Sequence, residues 1–320
     1  MKLLIVCQAL DQNHPILGFF HRWVEEFAKH VEHIHVIASH VGKYDVPENV
    51  TVHSLGKEIG TSKFYKIRKL KQLSWKLRNE YDVVFVHMIP EFVLVAGLLW
   101  RTLNKKIALW YTHKHVGARL WLAEKIVHKV FTASKASFRL SSKKLHILGH
   151  GIDTHFFTPS KSVVREERLL SVGRLMRSKR HDLVIQAAKE SGKGLHIVGN
   201  GEERGHLELL AERVGADVSF RGALPQKDLV TEYQKAHALI HTSETGSLDK
   251  VVLEALACGC PVITTDEAMK DMPVVITTKE PNSIAKSLTQ VSTIEPEVMH
   301  QYVVTGHSLQ NLVKKIRDIF

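Results

Sequence analysis

Short apolar runs alternate along this chain with segments whose apolar residues recur every three or four positions. The first run, LLIVC (Leu3 to Cys7), is unbroken, the mark of a strand buried on both faces of a parallel sheet. A polar loop follows, QALDQNHPILG, punctuated by Pro15 and Gly18. FFHRWVEEFAKHV then sets Phe19, Trp23, Phe27 and Val31 at helical spacing. HIHVIAS, VTVHSL, DVVFVHM, KIALWYT, KVFTAS and LHILGHG read as further strands, with helical patterns between several of them. The second half repeats the plan, from RLLSVGRL and the helix HDLVIQAAKES to HALIHTS, DKVVLEALACG and PVITT. SLQNLVKKIRDIF closes the chain as an amphipathic helix. Such alternation predicts βαβ units and doubly wound sheets.

The segment GIDTHFFTPSKS is polar, irregular and contains Pro159, so it reads as a link. The expected fold class is α/β, with two Rossmann-like doubly wound domains facing a cleft. Residues 1–155 form one domain and 156–305 the other. Residues 306–320 are a helix, a candidate to cross back to the first domain. A length of 320 residues agrees with two domains. Open α/β sheets bind ligands outside the carboxyl ends of their strands, so the loops there are where chemistry is sought.

Composition excludes several classes. Hydrophobic residues are 44% and charged residues 24%, as in ordinary globular chains. Cys7 lies in an apolar run, and Cys258 and Cys260 are spaced C-x-C, so the three cysteines read as core thiols rather than metal ligands. The opening residues lack the long apolar stretch and small-residue site of a leader. No run reaches the ~18 apolar residues of a membrane span; the longest, Phe92 to Trp100, ends at Arg101. The expectation is a cytoplasmic protein. Charge sharpens this picture. Residues 1–160 carry 23 Lys and Arg against 12 Asp and Glu, whereas residues 161–320 carry 21 of each. The whole net charge of +11 therefore lies in the first half, which points to a polyanionic partner.

Three constellations follow predicted strands. In SVGRLMRSKRHD (Ser171 to Asp182), Gly173 permits a tight exit, and Arg174 and Lys179 lie on the loop into the next helix. Two such cations can neutralise a diphosphate leaving group. In SETGSLDKVVLEALACGCPVITT (Ser243 to Thr265), a small-residue turn precedes a helix, whose N-terminus favours anions. Asp249 is placed as its N-cap. Glu254 lies among Val251, Val252, Leu253 and Leu256 and so needs a polar partner such as a ribose diol. In GNGEERGHL, Gly199 and Gly201 allow close backbone approach, but the spacing fails the dinucleotide fingerprint and argues against a hydride-transferring dehydrogenase.

These motifs together resemble the retaining GT-B-fold glycosyltransferases of family 4, the glycosyl transferases group 1. The resemblance rests on S-V-G-R-L-x-x-x-K-x-x-D at Ser171–Asp182, V-G-x-G-x-E at Val198–Glu203, L-E-A-x-A-C-G-x-P-V-I at Leu253–Ile263 and GHGIDTHFFTP at Gly149–Pro159. It covers nearly the whole chain and implies a nucleotide-diphosphate-sugar donor, no cofactor and no metal, in keeping with the lack of a D-x-D motif. By the same resemblance, Arg174 and Lys179 meet the donor diphosphate and Glu254 the ribose. Gly246, Ser247 and Leu248 offer amides to sugar and phosphate, and Ala223 and Leu224 frame the base. Gly173 and Gly199 belong to the same donor loops, and Gly18 matches a small residue of the first strand-to-helix loop.

One departure stands out. The family's E-x7-E motif has Gly246 in place of its first glutamate. Asp249 and Glu244 are the two candidates to replace it at the donor sugar. The family's histidine beside that sugar is matched by His113, preferred over His115, and His87 is a second candidate in the cleft.

The stretch KFYKIRKLKQLSWKLR (Lys63 to Arg78) sets Phe64, Ile67, Leu70, Leu73 and Leu77 at helical spacing among many cations. A basic amphipathic helix suits an anionic membrane surface; the alternative is a domain helix with a solvated basic face. Nothing accompanies the charge that marks a nucleic-acid binder. The expected activity is transfer of a sugar to a lipid-linked or glycan acceptor in cell-surface glycan or glycolipid synthesis, on the inner face of the membrane. A GT-B-fold epimerase and a non-catalytic nucleotide-sugar-binding protein are the alternatives.

Overall fold

The computed structural model describes residues 1–14, 16–244 and 248–320. The chain divides into two compact units, Met1–Gly151 with Leu309–Phe320, and Ile152–Ser308. The division falls at Gly151 because Ile152 already belongs to the second unit, where its N–H donates to His307 O at 2.8 Å.

In the first unit the strands are β1 (Lys2–Leu10), β2 (His33–Val41), β3 (Val50–Ser54), β4 (Val83–His87), β5 (Lys106–Trp110), β6 (Lys129–Thr132) and β7 (Leu145–Ile147). The helices between them are α1 (Phe19–Ala28), α2 (Lys63–Lys76), α3 (Pro90–Thr102) and α4 (Ala118–Ile126). Among the described residues the strands make one sheet in the order β3-β2-β1-β4-β5-β6-β7, every pair parallel. Side chains alternate across β1. Leu3 and Ile5 pack with Phe20, Trp23 and Phe27 of α1, while Leu4 and Val6 pack with Val93 and Trp100 of α3. Both faces are thus covered, and the LLIVC run has no polar side.

The C-terminal helix, Leu309–Ile319, presents Leu309, Leu312, Val313 and Ile316 to the α1 side of this core. Gly151 sits where the two meet. Its φ is +68°, and a Cβ there would lie 2.5 Å from the Leu312 side chain and 2.6 Å from the Trp23 ring, so only glycine fits. The Trp23 indole N–H donates to Gly151 O at 3.2 Å.

Helix α2 corrects the expected apolar stripe. Ser62 caps it, accepting from the Tyr65 N–H. Leu70, and Leu77 just beyond the helix, are buried, but Phe64 is 75% exposed, because the helix's first turn lies outside the part held down by Leu70. Tyr65 and Trp75 are exposed as well. Among the described residues no helix is long and apolar enough to cross a membrane.

The second unit holds β8 (Leu169–Val172), β9 (Leu195–Val198), β10 (Val218–Gly222), β11 (Ala238–His241), β12 (Val262–Thr264) and β13 (Val275–Ile276). Its helices are α5 (His181–Ser191), α6 (Arg204–Val214), α7 (Gln226–Lys235), α8 (Lys250–Ala257), α9 (Pro281–Ser287) and α10 (Pro296–His307). The order β10-β9-β8-β11-β12-β13 reverses direction between β8 and β11. The loops that leave these two neighbours lead to helices on opposite faces, α5 and α8, which opens a crevice at the strands' carboxyl ends.

Candidate functional site

The loop after β8 is fixed first by backbone. Leu175 N–H donates to Asn200 O, and Glu203 N–H to Leu175 O, both at 3.0 Å. Gly199 (φ +142°) lies so close that a Cβ would sit 1.8 Å from Gly173 O, and one on Gly201 would sit 2.1 Å from Leu175 O. The G-x-G of the loop after β9 therefore serves contact between two main chains, and not a dinucleotide. Beneath this loop lies His181, at 3% exposure. Its Nδ1 is 2.9 Å from Ser171 Oγ and its Nε2 3.3 Å from Arg174 O. A carbonyl only accepts, so Nε2 carries the hydrogen and Ser171 donates to Nδ1. Burial pushes this imidazole down to about 4 against the opposing Arg174 bond, which leaves it neutral near pH 7.

The loop after β11 is tied to the same place. Thr242 Oγ1 donates to Lys179 O or Arg180 O (3.0 and 2.9 Å), and the Glu244 N–H to Ser178 O at 2.8 Å. Lys179 Nζ consequently meets Asp249 Oδ2 at 2.5 Å, with Ser243 Oγ at 3.4 Å. The same carboxylate oxygen lies 3.0 Å from His241 Nε2. Burial would raise the Asp249 carboxyl, but the His241 hydrogen bond and the Lys179 charge hold it well below the usual range. Asp249 does stand at the N-cap position of α8, yet its side chain makes no capping bond. The expectation of a capping carboxylate is corrected: an ammonium at 2.5 Å outcompetes the amides.

The other predicted donor residues are placed as follows. Arg174 is exposed at the loop edge. Glu254 is buried in α8 and accepts from the Tyr233 hydroxyl at 3.2 Å. Ala223 and Leu224 follow β10, where Ala223 is exposed and Leu224 packs on the core. Leu248 is half-buried against the same core, while Gly246 and Ser247 lie outside the described residues. Glu244 is engaged by Lys279 (3.2 Å) and Arg180 (3.1 Å), which hold its carboxyl below the ordinary value.

In the first unit, Gly18 stands at the N-cap of α1, and a Cβ there would come 2.8 Å from the carbonyls of Gln12 and His14. Its smallness serves its own loop. His113 and His115 are exposed beyond β5, and the His115 N–H donates to His113 Nδ1 at 3.1 Å. His87 is different. Only 3% exposed, its ring stacks on Phe20 at 4.1 Å and meets Trp23 edgewise at 5.7 Å. Its position at a strand's end suggested a ligand contact, but its register turns it into the α1 packing face.

The family model for glycosyl transferases group 1 matches residues 154–319, more than half of the chain. The chain belongs to this family. A glycosyl transferase 4-like model also matches residues 13–114. An uncharacterized glycosyltransferase of Haemophilus influenzae is 26% identical over 240 residues, 69% of this chain and 67% of that protein. A GDP-mannose-dependent alpha-mannosyltransferase of Mycobacterium tuberculosis is 28% identical over 166 residues, 49% of this chain, which spans only 42% of that protein. Among solved structures, Anabaena HepE in complex with UDP matches with a TM-score of 0.77 at 17% identity, covering 100% of this chain and 99% of that one. Sucrose-phosphate synthase from Thermosynechococcus elongatus matches at 0.76 and 14% identity, covering 100% and 98%. These likenesses give the fold, two Rossmann-like domains of the GT-B type.

Within this group 1 chain, the structure gives partners to residues to which motif reading assigned no role: His181, His241, Thr264, Ser171 and Tyr233. His241 and Thr264 carried a usable signal, their places at the ends of β11 and β12. The others are recognised by what they touch.

His181 gives a pH test. An unfolded histidine titrates near 6.5, whereas the folded one titrates at about 4. The unfolded state therefore binds the proton more readily between those values, and stability falls as pH drops through that window, by about 3 kcal/mol at most. His35, His53, His128, His146 and His237 are also held low and carry the same sign. Urea unfolding at pH 7 and pH 4.5 should therefore show a smaller loss for His181→Gln than for the wild type. Equal losses would mean that this imidazole is not the buried neutral group described.

Proposed function

We propose that this chain moves a glycosyl group from a nucleoside diphosphate sugar to a hydroxyl acceptor, with retention at the anomeric carbon and without a metal ion. The observation that carries the reading is the meeting of the post-β8 and post-β11 loops at the strand-order reversal, with Lys179 held there and Arg174 at its edge. The Anabaena protein is in complex with UDP, a ligand of the kind this reading requires. By the family resemblance, Arg174, Lys179 and the Gly246–Leu248 stretch are assigned to the diphosphate, Glu254 to the ribose, and Ala223 and Leu224 to the base. Lys179 already has a counterion, so an arriving diphosphate shares the ammonium with Asp249 or displaces it. The displaced carboxylate is then available to a sugar hydroxyl, the task left open by Gly246. Glu244 is committed to two cations of its own and is the weaker candidate.

In the step itself, the bond from anomeric carbon to diphosphate oxygen breaks and its electron pair leaves with the diphosphate. The acceptor oxygen bonds to the same face of that carbon, and its proton passes to the departing phosphate oxygen. Cations fixed beforehand stabilise charge that develops only in this transition state. In this reading the first domain, with His113 foremost and His115 near it, meets the sugar and acceptor.

The acceptor is proposed to lie at an anionic surface, as a lipid-linked or glycan hydroxyl on the cytoplasmic side of a membrane. With the C-terminal helix counted in its unit, the first unit carries 26 Lys and Arg against 12 Asp and Glu, and the second 18 against 21. The exposed aromatics Phe64, Tyr65 and Trp75 of α2 stand among its cations, a composition suited to headgroups.

In a transfer assay containing EDTA, the wild type should stay active and Lys179→Ala should lose turnover by about 10²–10³, as for one lost oxyanion donor. Undiminished transfer by the variant would remove the clamp, and loss on chelation restored by magnesium would remove the metal-free reading. Sedimentation with vesicles checks the acceptor side. The protein should bind vesicles containing anionic lipid, ignore neutral ones and detach as salt rises. Glu at Lys66, Lys69, Lys71 and Lys76 together should abolish sedimentation. A wild type that never sediments at low salt would favour a soluble acidic acceptor.

A further inference from the structure

His241 belongs to no motif of the chain, yet its surroundings are unusually complete. It is the last residue of β11 and 5% exposed. In the parallel ladder it pairs with Thr264, the last residue of β12, so its backbone is fixed by the sheet. Thr264 Oγ1 lies 3.0 Å from His241 Nδ1 and also accepts the Asp266 N–H at 3.1 Å. On the other side, Nε2 lies 3.0 Å from Asp249 Oδ2. An ionised carboxylate only accepts, so Nε2 carries a hydrogen. The Thr264 hydroxyl, which accepts from Asp266 through one of its two lone pairs, can then donate its O–H to Nδ1. The imidazole is clamped at both nitrogens without needing a charge.

Asp249 precedes α8 and is bound to no amide of its own helix. What orients its carboxylate is His241 on one side and Lys179 on the other. Lys179, on a flexible four-carbon stem, comes from a different loop. The chain of contacts thus runs from sheet to imidazole, carboxylate and ammonium.

We propose that His241 is a positioning residue for the donor diphosphate: it anchors Asp249, and Asp249 holds the Lys179 ammonium where the second phosphate arrives. This rests on the reading that Lys179 meets a diphosphate. Preorganisation of this kind reduces the side-chain ordering that binding would otherwise require. It acts on the group that distinguishes a diphosphate from a monophosphate, and not on base or ribose.

That difference supplies the readout. Affinities of the uridine, guanosine and adenosine diphosphates and monophosphates are measured by titration calorimetry on the wild type, His241→Leu, His241→Gln and Lys179→Ala. The wild type should prefer the diphosphate of one base. His241→Leu should narrow that preference about tenfold, the size of a lost charged hydrogen bond, while the monophosphate binds as before. Glutamine places an N–H near the position of Nε2 and should restore most of the preference. Should the leucine variant fail to fold, Thr264→Val, which removes only the clamp on Nδ1, should narrow the preference to a smaller degree. A folded His241→Leu with the wild-type preference, or with both nucleotides weakened equally, overturns the positioning role. In those cases Lys179→Ala, by losing the preference, would leave the donor reading standing. If the wild type binds none of the diphosphates, or Lys179→Ala keeps the preference, the donor reading falls and this role with it.

Discussion

Every strand ladder among the described residues is parallel, and the rest of the molecule follows from that constraint. Parallel neighbours need crossovers, most of the crossovers here are helices, and the helices bury both faces of each sheet. Polar side chains then have few places to stand inside a domain. The carboxyl edge is one of them, because each strand there gives way to a loop. At the reversal between β8 and β11 the two loops lead to helices on opposite faces, and one cluster of the second unit's ionisable groups stands in that opening. Lys179, Asp249, His241 and His181 are all within a residue or a turn of a strand end or a helix start.

The charges gathered there are largely compensated. Asp249 answers Lys179, Glu244 answers Arg180 and Lys279, and His181 is neutral. Paired in this way, the cations there repel one another less. The first unit is the opposite case. Its excess of positive charge is spread over exposed stems and has no internal answer of similar size. One unit is electrostatically self-sufficient and the other looks outward, a division already visible in the halves of the sequence.

How far residues alone carried the reading differs by feature. The buried strands were legible because parallel sheets write themselves as unbroken apolar runs; LLIVC and HALIHTS both lie on theirs. HDLVIQAAKES coincides with α5 because its apolar residues keep helical spacing to the Gly192 that ends it. The loops after β8 and β11 were legible as motifs, but their internal pairing was not. Nothing in the spacing says that Asp249 turns to Lys179 in place of its helix amides, since that depends on two loops sixty-odd residues apart being sewn together by Thr242 and Glu244. His87 misled for a related reason: a strand-end position is shared by residues that face a ligand and residues that face a helix. In α2 the periodicity was real but only its middle and end are buried, since the stripe runs past the edge of what Leu70 can reach.

The place of Leu309–Ile319 bears on how the molecule is made. Its four buried side chains complete a core whose other members are drawn from the first 151 residues. On the ribosome those earlier residues emerge first, then the whole of Ile152–Ser308, and only then the covering helix. At about 5–20 residues per second, the apolar face of α1 around Trp23 waits on the order of ten seconds or longer for its lid. During that time the second unit has all of its own sequence and can close, while the first, although older, stays one helix short of finished. A segment synthesised after the whole of Ile152–Ser308 is thus what completes the domain that precedes it.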